Sequence, residues 1–238
     1  MTLIVCNEKH IPTAALNPIN SYSRQLKQIN SQVKASLPLK KQIWKQLVVS
    51  KIKNQAKCLE ILQKNGSEKL LEYAKTVKSG DPSNVEGRAA ALYFKSLFGK
   101  DFRRDKETPL NAALNYGYAL IRAVISRTVC LYGFEPSLGV HHCNELNNFN
   151  LSDDFIEPFR PFIDLTVAGS MFDYGEFGTA DKSVLLKSLN ASVMVEGKKT
   201  SVYNAIETLI QSYSESIKSG VSGLVLPELI EIEFKKYE

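Results

Sequence analysis

The stretch Leu37-Pro38-Leu39-Lys40-Lys41-Gln42-Ile43-Trp44-Lys45-Gln46-Leu47-Val48-Val49-Ser50-Lys51-Ile52-Lys53-Asn54-Gln55-Ala56-Lys57 decides the fold. Pro38 suits the first turn of a helix, where its missing N–H has no intrahelical partner to lose. Beyond it, Ile43, Trp44, Leu47, Val48, Ile52 and Ala56 recur at spacings of three and four, the period of a helix face turned to a core. Lys40, Lys41, Lys45, Lys51, Lys53 and Lys57 fall mostly off that stripe.

Outward from there the helical period persists. Gly66 is expected to close this helix, and Lys69 to Val77 forms a shorter one. Ser79-Gly80-Asp81-Pro82-Ser83-Asn84 reads as a turn, with Ser83 or Asn84 as N-cap of a helix starting near Glu86 and carrying Ala89, Ala90, Tyr93, Phe94 and Leu97. Gly99 to Pro109 is a charged loop. Asn111 to Tyr132 is a long helix stopped by Gly133. Gly133 to Leu151 is irregular, and a helix from near Ser152 runs towards Val167 with Pro158 bending or dividing it. Met194 to Val202 reads as a small hairpin around Gly197, and Ser201 to Lys218 as the last helix, with a tail of mixed polarity from Pro227. At the other end, Leu3-Ile4-Val5-Cys6 reads as a strand running into a loop, Pro12 to Asn20. A lone strand cannot pair its backbone groups, so the chain opens as if inside a sheet. The expected fold class is therefore mainly α: residues 1–20 as the last strand and exit loop of a β domain, and 21–238 as an α-helical domain.

Composition is consistent with this and narrows function. The chain has 238 residues, 44% apolar and 23% charged, which excludes a disordered tail, a collagen-like chain and a coiled-coil rod. Lys and Arg number 30 against 25 Asp and Glu, and the net charge of +5 permits a polyanionic partner without demanding one. Cys6, Cys58, Cys130 and Cys143 form no CxxC pair and read as reduced thiols of a cytosolic protein. Residues 2–6 are too short an apolar run for a secretory signal, and no window approaches the length that spans a membrane.

Three places offer ligands for a metal: Glu86 in Val-Glu-Gly-Arg-Ala-Ala, His142 in Leu-Gly-Val-His-His, and Asp154 with Glu157 in Ser-Asp-Asp-Phe-Ile-Glu-Pro-Phe-Arg. Asp154 and Glu157 are three apart and share a face on a helix. Two carboxylates and an imidazole leave positions open for water and phosphate oxygens, which suits Mg²⁺ or Mn²⁺ better than a thiolate-bound zinc. Adjacent His141, His142 and Cys143 cannot readily face one zinc ion. Taken singly, each residue also has an ordinary reading: Glu86 as a helix N-terminal acid, His142 as a hydrogen-bonded loop histidine, Glu157 as a surface acid.

The wording around these residues resembles the Cas-one family, the integrase of CRISPR adaptation, over about Thr2 to Tyr203. The segments that carry the likeness are Lys51-Ile52-Lys53-Asn54-Gln55-Ala56, Glu86-Gly87-Arg88-Ala89-Ala90-Ala91-Leu92-Tyr93-Phe94 and Asn111-Ala112-Ala113-Leu114-Asn115-Tyr116-Gly117-Tyr118. Leu138-Gly139-Val140-His141-His142 and Asp154-Phe155-Ile156-Glu157-Pro158-Phe159-Arg160-Pro161 complete the set, and the last two look most like the type II branch. The resemblance implies that residues 21–238 are a helical catalytic domain whose metal ligands are Glu86, His142 and Glu157, binding Mg²⁺ or Mn²⁺. Asp154 fills the family's accompanying acidic position and would support the site, and His141 beside the ligand histidine reads as a supporting group or a DNA contact; Asn115 and Tyr116, polar and aromatic in an apolar helix, read either as a hydrogen-bonded core or as groups that orient the ligands. The resemblance implies a metal-dependent endonuclease and integrase that inserts short DNA duplexes into a repeat array by 3′-hydroxyl attack on a phosphodiester, and that also cleaves DNA, branched DNA included. The implied partners are duplex and branched DNA, a second copy in a homodimer, and a small second adaptation protein, in a prokaryotic cytoplasm. Family members open with a β-rich domain, so the chain is expected to be N-terminally shortened, and a catalytically silent DNA-binding remnant is the alternative. Arg88 and Arg160, beside the ligand candidates, are the first choices for phosphate contact, followed by Lys51, Arg103 and Arg104; Arg122 and Arg127 extend the same basic set.

Overall fold

Two long helices carry the architecture. The structure is a computed structural model and describes residues 3–6, 12–16, 25–169 and 176–231. Helix α1 is Gln25–Lys34 and α2 is Leu37–Ile61, which Ser36 caps by accepting from the Leu39 N–H, with Pro38 in its first turn. Helix α3 (Ser67–Thr76) follows, with Gly66 as its N-cap; α2 has already ended at Ile61, so Gly66 opens one helix instead of closing the other. Helices α4 (Val85–Phe98) and α5 (Pro109–Leu131) come next, and Thr108 caps α5 through the Asn111 N–H.

After an irregular segment, α6 (Asn150–Phe155), a 3₁₀ turn (Glu157–Phe159) and α7 (Arg160–Gly169) form the divided helix that Pro158 foretold. Helix α8 (Thr179–Lys187) is an element that the sequence reading did not propose; it turns little but Leu185 inward, so it carries almost no apolar stripe. The chain ends in the hairpin β3–β4 (Ser192–Val195, Lys198–Ser201), α9 (Val202–Ser219) and a segment in which Glu228 forms a bridge to Met194.

Near the N-terminus, β1 (Leu3–Cys6) pairs antiparallel with β2 (Pro12–Leu16), Leu3 opposite Leu16 and Val5 opposite Ala14. This corrects the reading of residues 12–16 as loop and of 3–6 as an unpaired strand. A proline fits the first position of a strand, and two alanines carry little strand preference, so the sequence signal was weak. The expected boundary between residues 20 and 21 lies outside the described residues.

The core is one continuous cluster of buried side chains. Helix α2 packs on α3, α4, α7 and the 3₁₀ turn, while α5 packs on α6, α7, α8 and α9. Ile43, Leu47, Ile52 and Leu59 from α2 are fully buried, as are Leu114, Ile125 and Val129 from α5, Phe155, Phe159, and Leu209 and Ile210 from α9. Each such side chain contributes about 1.5–3 kcal/mol on burial. Gly117 sets how closely α5 meets α7, because a Cβ there would run into the γ2 methyl of Ile163. Among the described residues, no helix is long and apolar enough to cross a membrane.

Candidate functional site

The start of α4 is fixed by two side chains ahead of it. Asp81, buried and with φ +46°, accepts from the N–H groups of Val85 and Glu86, both at 2.9 Å. Asn84 is the N-cap and accepts from the Gly87 N–H at 3.1 Å. The otherwise unpaired donors of the first turn are thereby satisfied, and Glu86 is held beside the positive end of the helix.

The irregular segment between α5 and α6 is shaped around one carboxylate. Asp154 is fully buried. Its Oδ2 accepts from the N–H groups of Val140 at 2.6 Å and His141 at 3.1 Å, and its Oδ1 from the His142 N–H at 3.1 Å and ring Nδ1 at 2.7 Å. A carboxylate only accepts, so Nδ1 carries the proton and Nε2 is turned to other work. Gly139 makes the wrap possible, since a Cβ there would strike the His142 carbonyl and approach Asp154 Oδ2 to 2.9 Å. The hydrogen bond to Asp154 raises the affinity of His142 for a proton, with burial opposing it. His141 behaves oppositely, because burial lowers its pKa. It lies flat on Trp44 of α2, ring centroids 4.0 Å apart and planes within 2°.

Glu157 comes from the 3₁₀ turn, where Pro158 interrupts the helix. Asn54 of α2 holds this turn in place. It donates to the carbonyls of Pro158 at 2.9 Å and Pro227 at 3.0 Å, and it accepts from the Leu229 N–H at 3.0 Å. Glu157 is 5% exposed; Arg160 donates to its Oε1 at 2.9 Å, and its Oε2 forms an ion pair with Lys51. Oε2 is buried, and the Lys51 ammonium is its partner. Burial works to raise the Glu157 carboxyl, but the Arg160 and Lys51 charges outweigh it and hold its pKa at about 2.

Lys51 departs from its sequence reading as a phosphate-facing cation. It is 6% exposed, and its ammonium contacts both Glu86 Oε1 and Glu157 Oε2. Burial lowers its pKa, and the two carboxylates more than reverse this. A lysine is rarely buried without such partners.

The structure thus gathers Glu86 and Glu157 on one cationic centre and sets His142 on Asp154. Among the described residues, no three His, Cys, Asp or Glu side chains are already grouped to hold an ion. The donor set itself consists of hard carboxylate oxygens and a neutral-capable imidazole whose far nitrogen is oriented by a carboxylate. This is what Mg²⁺ or Mn²⁺ takes, and the Asp154–His142 bond is the arrangement that orients a ligating histidine.

Other expected residues sit elsewhere. Asn115 is exposed and accepts from Arg104 at 2.7 Å, and Arg104 also donates to Asn111 at 2.6 Å. The Tyr116 ring meets Phe177, with centroids 5.6 Å apart. Arg88 is exposed over the Tyr73 ring, and Arg103 is exposed in the loop before α5. Arg122 pairs with Asp153, and Arg127 bonds Tyr203. Arg160 lies over the Tyr118 ring at 4.7 Å, and Tyr118 in turn bonds the buried Asp164. Burial pushes the Asp164 carboxyl up to about 6 against its tyrosine hydrogen bonds. Sequence reasoning missed the roles of Asn54, Asp81 and Trp44. For Lys51 the signal was present: it lies seven residues after Trp44, four after Leu47 and three after Val48, on the buried stripe itself.

Comparison with known proteins supplies the family. The profile of a family described as CRISPR associated protein Cas1 matches residues 1–196. The chain is 40% identical over 243 aligned residues to a CRISPR-associated endonuclease Cas1 of Neisseria meningitidis serogroup C, covering the whole of this chain and 80% of that protein. Two solved structures share the fold. One is a casposase bound to integration product, with TM-score 0.73 and 19% identity, covering 94% of this chain and 73% of that one. The other is a Cas6-RT-Cas1–Cas2 complex, with TM-score 0.73 and 15% identity, covering 97% of this chain and 30% of that one. With its profile match and its Neisseria relative, this mainly helical chain belongs to the CRISPR-associated Cas1 family.

Proposed function

We propose that this chain is a metal-dependent DNA endonuclease and integrase of CRISPR adaptation, which joins short DNA duplexes into a repeat by attack of a 3′-hydroxyl on a phosphodiester. The observation that carries this reading is the meeting of Glu86 and Glu157, 71 residues apart in sequence, on a single cationic centre at Lys51. The endonuclease name of the Neisseria relative and the integration product bound to the casposase support the same chemistry.

Glu86, Glu157 and His142 would hold Mg²⁺ or Mn²⁺. When bound, the ion would supply positive charge at the phosphodiester and lower the barrier to attack by an oxygen nucleophile. The chain's own residues do the positioning. Asp154 keeps the His142 ring in one tautomer, Asp81 and Asn84 fix Glu86 at the start of α4, and Asn54 fixes the turn that carries Glu157. Arg160 holds Glu157 Oε1 while its guanidinium lies over the Tyr118 ring, and its charge beside the carboxylates would favour a phosphate. Arg88, Arg103 and Arg104 extend positive charge outward, suited to phosphate contact without sequence reading. The solved Cas1–Cas2 complex of like fold supports a small second adaptation protein as partner, and a homodimer is the expected assembly.

The test is strand transfer. The chain is mixed with its small partner, Mg²⁺ or Mn²⁺, a short duplex with free 3′-hydroxyls and a supercoiled repeat plasmid, with the Glu86→Ala variant alongside. Joining is expected in the native chain. It should vanish with chelator and in the variant, while duplex binding and the far-ultraviolet circular dichroism spectrum persist. Full activity of Glu86→Ala would overturn the site, joining that survives chelation would overturn the metal, and binding without joining would favour the silent remnant.

A further inference from the structure

We propose that Lys51 is the built-in counter-ion of Glu86 and Glu157 whenever no metal is bound, so that the divalent cation enters only as the Lys51 ammonium leaves. This inference rests on the metal-dependent reading above. Glu86 and Glu157 arrive from different elements, α4 and the turn after α6, and Glu157 is buried. Two carboxylates brought together in a poorly solvated place repel each other and cost free energy unless a cation lies between them. Lys51 supplies that cation from α2, in contact with both. At Glu157 the oxygen it takes, Oε2, is the one open to a metal, because Arg160 already occupies Oε1, and at Glu86 it takes Oε1. One space between two carboxylates therefore has two competing occupants.

Two consequences follow from the exchange. Without metal the site stays folded, since its carboxylates are neutralised. Cation affinity is also lower than the carboxylates alone would give, because the competing ammonium must be displaced. Lysine suits this role better than arginine would: its charge is compact, it sits on a flexible four-carbon stem, and it makes no planar two-pronged contact to be broken.

The first measurement uses the native chain. Lysine acetylation by a water-soluble acylating reagent is followed by peptide mass spectrometry, with and without saturating Mg²⁺, and exposed Lys69 serves as reference. Lys51 labelling is expected to rise by about tenfold or more on adding Mg²⁺, with Lys69 unchanged, since a group released from burial gains reactivity with exposure. In parallel, Mn²⁺ binding is titrated by electron paramagnetic resonance for the native chain and Lys51→Met. The variant is expected to bind on the order of tenfold tighter or more, the scale set by breaking a buried ion pair. Should Lys51→Met not fold, the labelling experiment on the native chain decides. Metal binding by the native chain with Lys51 labelling unchanged, or with the variant binding equally or more weakly, overturns the exchange and leaves the metal site standing. No Mn²⁺ or Mg²⁺ binding by the native chain overturns the metal reading, and the exchange with it.

Discussion

Replacing Asp154 by asparagine changes few atoms and tests how the site is held. The native carboxylate accepts four hydrogen bonds, from the N–H groups of Val140, His141 and His142 and from His142 Nδ1. An asparagine with its oxygen in the Oδ2 place keeps the first two. Its NH₂ then faces the His142 N–H, which loses its acceptor, and faces Nδ1, which must give up its proton to accept instead. One buried donor left without a partner costs about 1–3 kcal/mol, and two bonds lose their charge assistance. The expected loss of stability is about 2–4 kcal/mol, which in a domain of this size lowers Tm by about 4–16 °C. The proton displaced from Nδ1 moves to Nε2, the nitrogen that a metal would need. Strand transfer should therefore fall by about 10–100-fold even where the variant is fully folded, the usual effect of removing the group behind a ligating histidine. Urea melts give the stability, long-range ¹H–¹⁵N correlation gives the tautomer, and the plasmid assay gives the rate. A folded Asp154→Asn chain with its proton still on Nδ1, or with undiminished transfer, would refute the reasoning.

Further outcomes follow from the same contacts. Asn54→Ala removes two donors and an acceptor that tie α2 to Pro158, Pro227 and Leu229; a loss of about 2–4 kcal/mol is expected in urea denaturation, and a loss below about 0.5 kcal/mol would mean that water replaces the amide. Asp164 has its pKa raised to about 6, so folding favours its protonated form: that contribution is complete below about pH 4 and is lost as pH rises through about 6. Asp164→Asn removes this loss, so its stability relative to the native chain should climb between pH 4 and 7, by at most about 3 kcal/mol; a flat difference across that range would show that Asp164 ionises normally.

How much of this was legible in the sequence differs by element. The helices with apolar stripes and capping residues stood where the periodicity put them, α2 with Pro38 and α5 up to Gly133 among them. Pro158 marked the break between α6 and α7. Two elements were not legible, for opposite reasons. Helix α8 has too few buried residues to show a stripe, and β2 begins with a proline and is rich in alanine. The acidic ligand candidates could be named from their motifs, but the groups that position them could not. Asp81, Asn54 and Trp44 act through backbone carbonyls and N–H groups or through ring stacking, contacts that no local pattern encodes.

Lys51 shows the limit most clearly. A lysine is read as solvated because most are, and six lysines in one helix strengthen that habit. Yet α2 is buried on more than one face, being covered by α3, α4, α7 and the 3₁₀ turn at once, so position along the stripe should have outranked residue type. Trp44, Lys51 and Asn54 are spaced by seven and three, hence stacked along one side of α2, and each meets a different part of the site: the His141 ring, the two carboxylates, and the turn behind Glu157. One rigid helix thereby sets the relative placement of three segments that are distant in sequence. A site built this way does not depend on the flexibility of the loops that carry its acids, because its geometry is referred to a long helix held by several others at once.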